Sequence, residues 1–189
     1  APGIDEQREA YRTLLAALPG RDVVIRTLDA GSDKPLAFVQ LGDEPNPALG
    51  VRGYRTAAVQ PRLLDDQLAA IASAAGETEA NVRVMAPMIS TPDEAAAFVE
   101  QARKHGLSSV GVMIEVPAAA LRIDEIAEVV DFVSIGTNDL AQYTFAADRT
   151  LGDVAHLLDP WQPALLQLIA RVAGALRRLG KPVSLCGEA

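Results

Sequence analysis

Residues 82–185 repeat one pattern: a short, mainly apolar run, a longer stretch with helical periodicity, then another apolar run. The runs at 82–87, 109–115, 131–135 and 182–185 are mainly apolar rather than alternating. Strands of that kind are buried on both faces, so they belong to a parallel sheet flanked by helices. The intervening helices are expected over 92–105, with Thr91 as N-cap, over 118–128, near 140–145 and over 163–179. Upstream, 5–18 reads as an amphipathic helix with Tyr11, Leu14, Leu15 and Leu18 on one face, stopped by Pro19-Gly20. A short strand at 23–25 follows. Pro61 opens a further helix carrying Leu63, Leu64, Leu68 and Ile71, which Gly76 ends. Between them, to about residue 60, the chain is rich in Gly, Pro and charge. It reads as a long loop carrying a short strand over 37–41, and loops of that length in a compact domain usually bind something.

A parallel sheet built this way is doubly wound or closed into a barrel. No Gly-rich dinucleotide fingerprint follows a strand, and no Walker A loop is present. A β/α barrel usually needs about 250 residues. The 189 residues here supply five strands, the last at the end of the chain. The expected fold is therefore α/β: a single (β/α)8 TIM-barrel domain over 1–189, incomplete at both ends.

Aromatic residues are only 4% of the chain, so Ala, Val, Leu and Ile must build the core. The formal charge of −8 argues against nucleic acid or an anionic membrane as partner. An anionic substrate must then be held by local arginines against the global field. Cys186 is the one cysteine, so no internal disulfide forms. No apolar run approaches the roughly 18 residues of a membrane span, and the N-terminus does not resemble a signal peptide. These features fit a cytoplasmic location.

In parallel β/α folds, chemistry sits at the C-terminal ends of the strands. Reading those ends gives Arg26, Glu115, Asn138-Asp139 and Cys186-Gly187-Glu188, and the long loop adds Arg52 and Arg55. Carboxylates suit a hard ion such as Mg²⁺, which takes one or two protein carboxylates plus substrate oxygens and water. Guanidinium groups bind phosphate or carboxylate through paired hydrogen bonds. Each residue also has an ordinary reading. Glu115 can mark a strand-to-helix turn, Asn138-Asp139 can cap a helix, Arg52 and Arg55 can be solvated loop charges, and Cys186 can be a plain buried thiol. His105 and His156 lie away from strand ends and are read as non-functional. The coincidence of the others on one rim favours a site.

The run Asp131-Phe132-Val133-Ser134-Ile135-Gly136-Thr137-Asn138-Asp139-Leu140-Ala141-Gln142-Tyr143-Thr144 resembles the signature of enzyme I of the bacterial phosphoenolpyruvate:sugar phosphotransferase system. So does Val24-Ile25-Arg26-Thr27-Leu28-Asp29-Ala30-Gly31-Ser32-Asp33-Lys34-Pro35. Asn46 through Arg55 resembles the family's arginine loop, and Gly111 through Ala119 and Cys186-Gly187-Glu188 resemble two further blocks. The blocks stand in the family's order across nearly the whole chain. Ser32, where Gly is usual, and Val116, where Thr is common, depart from the pattern.

The resemblance implies a barrel that binds phosphoenolpyruvate or pyruvate with Mg²⁺. It makes Glu115 and Asp139 the metal ligands, and Arg26, Arg52, Asn138 and Arg149 the substrate-binding residues. Cys186 becomes the acid that protonates the enolate carbon. It implies a phosphoryl acceptor histidine on a domain absent from this chain, a histidine-containing phosphocarrier protein as partner, and a homodimer when full length. Chemistry expected of this chain alone is substrate binding or proton exchange on pyruvate. Alternatives are the corresponding barrel of pyruvate phosphate dikinase or phosphoenolpyruvate synthase, a non-catalytic binding fragment, and a metal-dependent aldolase on a related barrel.

Overall fold

The computed structural model describes residues 2–31, 33–39 and 41–187. Ser32 and Glu188, named above, lie outside the described residues. The chain divides into two compact units, Ala1–Pro87 with Glu100–Val110, and Met88–Val99 with Gly111–Ala189.

In the first unit, helix α1 (Ile4–Ala16) packs on α3 (Pro61–Gly76), and strands β1 (Asp22–Arg26) and β2 (Asn81–Ala86) pair in parallel, with Ile25 opposite Val84. Pro61 starts α3 because its fixed φ suits a first helical turn that needs no N–H from it. Leu64, Leu68 and Ile71 are buried, each contributing about 1.5–3 kcal/mol. The stripe expected on α1 is narrower than its apolar spacing suggests. Leu15 is buried, but Leu14 is 51% exposed and Leu18 lies beyond the helix end. Tyr11 instead accepts a hydrogen bond at its hydroxyl from Gln67, whose carbonyl oxygen in turn accepts from the Leu28 N–H.

The strand expected over 37–41 does not form at its described positions. The Val39 N–H bonds back to the Leu36 carbonyl at 2.9 Å, closing a turn, and Gln40 lies outside the described residues. The long loop is organised by two 3-10 turns (Pro47–Leu49 and Gly53–Arg55) and the short helix α2 (Thr56–Val59).

Helix α4 (Pro92–Lys104) follows Thr91, as expected. Its start is a reciprocal capping box: Thr91 Oγ1 accepts from the Glu94 N–H, and the Glu94 carboxylate accepts from the Ser90 and Thr91 N–H groups.

In the second unit, β3 (Val110–Ile114), β4 (Phe132–Gly136) and β5 (Val183–Cys186) pair in parallel, β4 between the other two. Between β3 and β4 the expected single helix is two, α5 (Pro117–Leu121) and α6 (Ile123–Val129), broken at Arg122, whose backbone leaves helical values. Helix α7 (Thr137–Phe145) begins directly at the end of β4, and α8 (Pro163–Arg178) leads to β5. Burial on both faces holds for β3 and β4, which are buried along their whole length. It fails for β5, which is exposed throughout although it pairs with β4 and contacts α8.

Lys181, just before β5, closes α6: its ammonium donates to the carbonyls of Ala127 at 2.7 Å, Val130 at 2.8 Å and Glu128 at 3.4 Å. A cation there satisfies the orphan carbonyls and complements the negative helix end. Lys181→Met is expected to cost about 1–3 kcal/mol, seen as a lower midpoint in a thermal melt followed by circular dichroism. Among the described residues no helix is long and apolar enough to cross a membrane.

Candidate functional site

The second unit brings two buried acids to the same end of neighbouring strands. Ile114 of β3 lies opposite Ile135 of β4, so Glu115 and Gly136, the next residues, leave their strands side by side. Both carboxylates are buried, with Glu115 at 2% exposure and Asp139 at 5%. Glu115 is held by the N–H of Met88, which donates to its Oε1 at 2.7 Å. Met88 does so from a left-handed backbone, φ 60°, that a residue with a side chain rarely adopts. A Cβ built at Gly136 would lie 2.8 Å from Glu115 Oε2 and 3.1 Å from the Met113 sulfur. Glycine there lets the acid lie against the backbone where β4 turns into α7. Asp139 then falls in the first turn of α7, where the positive helix end favours a carboxylate. Asn138 and Asp139 are thus inside the helix rather than its caps, because Gly136 occupies the capping position.

Arg149 reaches the same place. Its guanidinium lies 3.6 Å from Asp139 Oδ2, and its N–H donates to the Gln142 side chain at 3.0 Å, which fastens the loop after α7 to that helix. Arg149 and the half-buried Asn138 line one cleft of about 630 Å³ with Thr137, Ala141 and Leu165. On β5 the Cys186 thiol is exposed. It donates to the Ile135 carbonyl at 3.5 Å, and the Ser134 hydroxyl donates to it at 3.6 Å. The ordinary reading of Cys186 as a buried thiol therefore does not hold. Nothing in the sequence pattern singled out Met88, Gly136 or Ser134, whose parts depend on backbone geometry and strand register.

In the first unit, Arg26 and Arg52 belong to one ion-paired cluster. Arg52 is buried, at 1% exposure, and its guanidinium meets Asp29 at 3.2 Å and Asp33 at 3.3 Å. It is not a solvated loop charge. Arg26 lies 3.8 Å from Asp29 and remains 45% exposed. Arg55 donates to the Gly50 carbonyl at 3.0 Å, a contact that braces the loop. His105 pairs with Asp65 at 2.8 Å, which holds the Asp65 carboxyl below its ordinary range, and His156 is exposed.

Among the described residues no group of three or more His, Cys, Asp or Glu side chains could hold a metal. Mg²⁺ does not need one, since it keeps waters and takes one or two carboxylates with substrate oxygens. Two buried acids, one just after β3 and one in the first turn of the helix that follows β4, fit that donor set.

A family model described as "PEP-utilising enzyme, PEP-binding domain" matches residues 1–189. Phosphoenolpyruvate-protein phosphotransferase of Streptomyces coelicolor is 53% identical over 100% of this chain and 34% of its own length. The proteins of the same name from Bacillus subtilis and Cupriavidus necator are 43% and 44% identical, each over 99% of this chain. The chain spans about a third of the length of these curated relatives. Among solved structures, a citrate lyase from Burkholderia xenovorans is similar at TM-score 0.55 and 18% identity, over 94% of this chain and 50% of that one. An aldolase/citrate lyase family protein from Burkholderia cenocepacia is similar at TM-score 0.50 and 19% identity, over 94% and 75%. At that identity the likeness bears on the fold alone.

Proposed function

Because this chain belongs to the family of phosphoenolpyruvate-binding domains of phosphoenolpyruvate-utilising enzymes, we propose that it binds phosphoenolpyruvate with Mg²⁺ and serves the phosphoryl-donating half of a phosphoenolpyruvate-protein phosphotransferase. The observation that carries this reading is the pair of buried carboxylates, Glu115 just after β3 and Asp139 in the first turn after the neighbouring β4, with Arg149 beside Asp139.

Glu115 and Asp139 would hold the metal, which supplies charge neutralisation for the phosphoryl group and for the enolate left behind. Arg149 and Asn138 are assigned to the substrate's anionic groups through the cleft they share. Arg26 and Arg52 are assigned to anionic groups as well, and their cluster supports a cationic role. Such groups act by positioning, since phosphoryl transfer asks little covalent help of the protein. Cys186 is the proton donor to the enolate carbon. Its thiol is exposed to incoming substrate and held by two hydrogen bonds.

The relatives' name and the fraction of their length covered support a wider assignment for the whole protein. There the fold is a complete (β/α)8 barrel. The phosphoryl group passes to a histidine on another domain and then to a histidine-containing carrier protein, in the cytoplasm, from a homodimer. Calorimetric titration of the chain with phosphoenolpyruvate tests the reading at its base. Binding is expected in Mg²⁺ and should weaken by at least about tenfold in EDTA. The same affinity in both buffers would refute the metal's part, and no binding in either would refute the function.

A further inference from the structure

Asp29 has no role in the function set out above, yet three cations converge on it. Its side chain is only 2% exposed. Lys34 donates to Oδ2 at 2.8 Å, Arg52 to Oδ2 at 3.2 Å and to Oδ1 at 3.4 Å, and Arg26 lies 3.8 Å from Oδ2. Burial opposes the charge on Asp29. The Lys34 hydrogen bond, with the charges of Arg52, Lys34 and Arg26, outweighs it and holds the carboxyl below the usual range. The backbone is shaped to bring them together. Gly31 forms bridges with both Lys34 and Arg52, and a Cβ at Gly31 would press on the Arg52 Cβ and lie 2.7 Å from Asp33 Oδ1.

One cation would neutralise one carboxylate. Here Asp33 also faces Arg52, while Arg26 and Lys34 keep 45% and 34% of their side chains in solvent. That is the arrangement of cations anchored from below and presented outward. Long Arg and Lys side chains lose much rotamer freedom when they grip a ligand, so fixing them beforehand strengthens binding. We propose that Asp29 is a positioning residue for phosphoenolpyruvate: it acts through Arg26, Lys34 and Arg52, holding them as one preorganised anion-binding cluster in which Lys34 is a third cation. This rests on the phosphoenolpyruvate reading above.

The sign of the effect separates positioning from simple charge balance. Removing the carboxylate leaves the cluster more positive, so Coulomb attraction alone predicts tighter binding of an anion. Loss of positioning predicts weaker binding. The test is calorimetry with phosphoenolpyruvate and Mg²⁺ on wild type, Asp29→Asn, Arg52→Ala and the double variant, below the melting onset of each. Asp29→Asn is expected to bind about tenfold more weakly, and by a smaller factor when Arg52 is already Ala, because one of the three cations that Asp29 holds is then gone. Unchanged or tighter binding by Asp29→Asn, or full additivity in the double variant, would overturn the proposal. Lys34→Met removes a partly exposed cation and tests the cluster if Asp29→Asn does not fold: unchanged affinity overturns the proposal, while weaker binding with an unchanged melt supports Lys34 as its third cation. Failure of the wild type to bind is a separate outcome, which removes the functional reading and this inference with it.

Discussion

Glu115→Gln and Asp139→Asn are each expected to lower phosphoenolpyruvate affinity in Mg²⁺ by at least about 100-fold, since even partners one step behind a metal ligand cost 10–100-fold when lost. Both substitutions keep the shape of the side chain and remove its charge. The amide oxygen of a Gln at 115 can still accept from the Met88 N–H, which keeps that tie to the backbone. Asn at 139 keeps the size of the side chain and an oxygen acceptor, and the 3.6 Å pairing with a partly exposed Arg149 that it loses is worth little in stability. The two variants should therefore melt near the wild type while losing the metal-dependent part of binding. In EDTA all three should bind alike. Glu100→Gln, which removes an exposed acid on α4 paired with Lys104, is the matched control and should leave affinity unchanged. A loss below about threefold in both site variants would mean that these carboxylates do not hold a cation.

The strand ends were legible in the sequence for a physical reason. A strand buried on both faces rarely admits a charged residue until it leaves the sheet, so the first acid after the apolar run is expected at the rim. That is how Glu115 and Asp139 could be found before any coordinates, and why β3 and β4 match the expectation closely. The same rule misleads at β5, whose apolar residues are exposed, because apolar character shows that a strand can be covered and does not show that it is. The arginine loop was legible as a set of residues but not as a structure. Which cation meets which acid there follows from the bridges between Gly31 and both Lys34 and Arg52, the second a contact between segments well separated in sequence. Leu14 shows the limit of periodicity on a short helix, where one side packs on a single partner and a neighbouring apolar residue remains in solvent. Met88 was beyond reach altogether, since no residue preference announces a methionine in a left-handed conformation.

Cys186→Ala is expected to slow deuterium exchange into the methyl group of pyruvate by about 10²–10⁴-fold in the presence of Mg²⁺, the usual worth of a general acid–base group. In the protonation step the S–H bond breaks and its proton forms a new C–H bond at the terminal carbon of the enolate, using the electron pair of the enolate double bond. The sulfur keeps its own pair as thiolate and regains a proton from water. Exchange is this step and its reverse, so it needs no phosphoryl acceptor and can be read on the chain by itself. The surroundings of the thiol suit a proton donor, because the Ile135 carbonyl accepts from S–H before transfer and the Ser134 hydroxyl can donate to the thiolate after it. Binding should separate from turnover, because the proposed function gives the anion to Arg and Asn side chains and not to sulfur. Phosphoenolpyruvate affinity of Cys186→Ala should remain within about threefold of wild type, and its melt should not move, since the side chain is exposed and little packing is lost. Cys186→Ser keeps a donor of similar size but one far less acidic than a thiol, so it should fall close to the alanine variant. Exchange at the wild-type rate in Cys186→Ala would assign the proton to another group and leave the thiol a bystander at the end of β5.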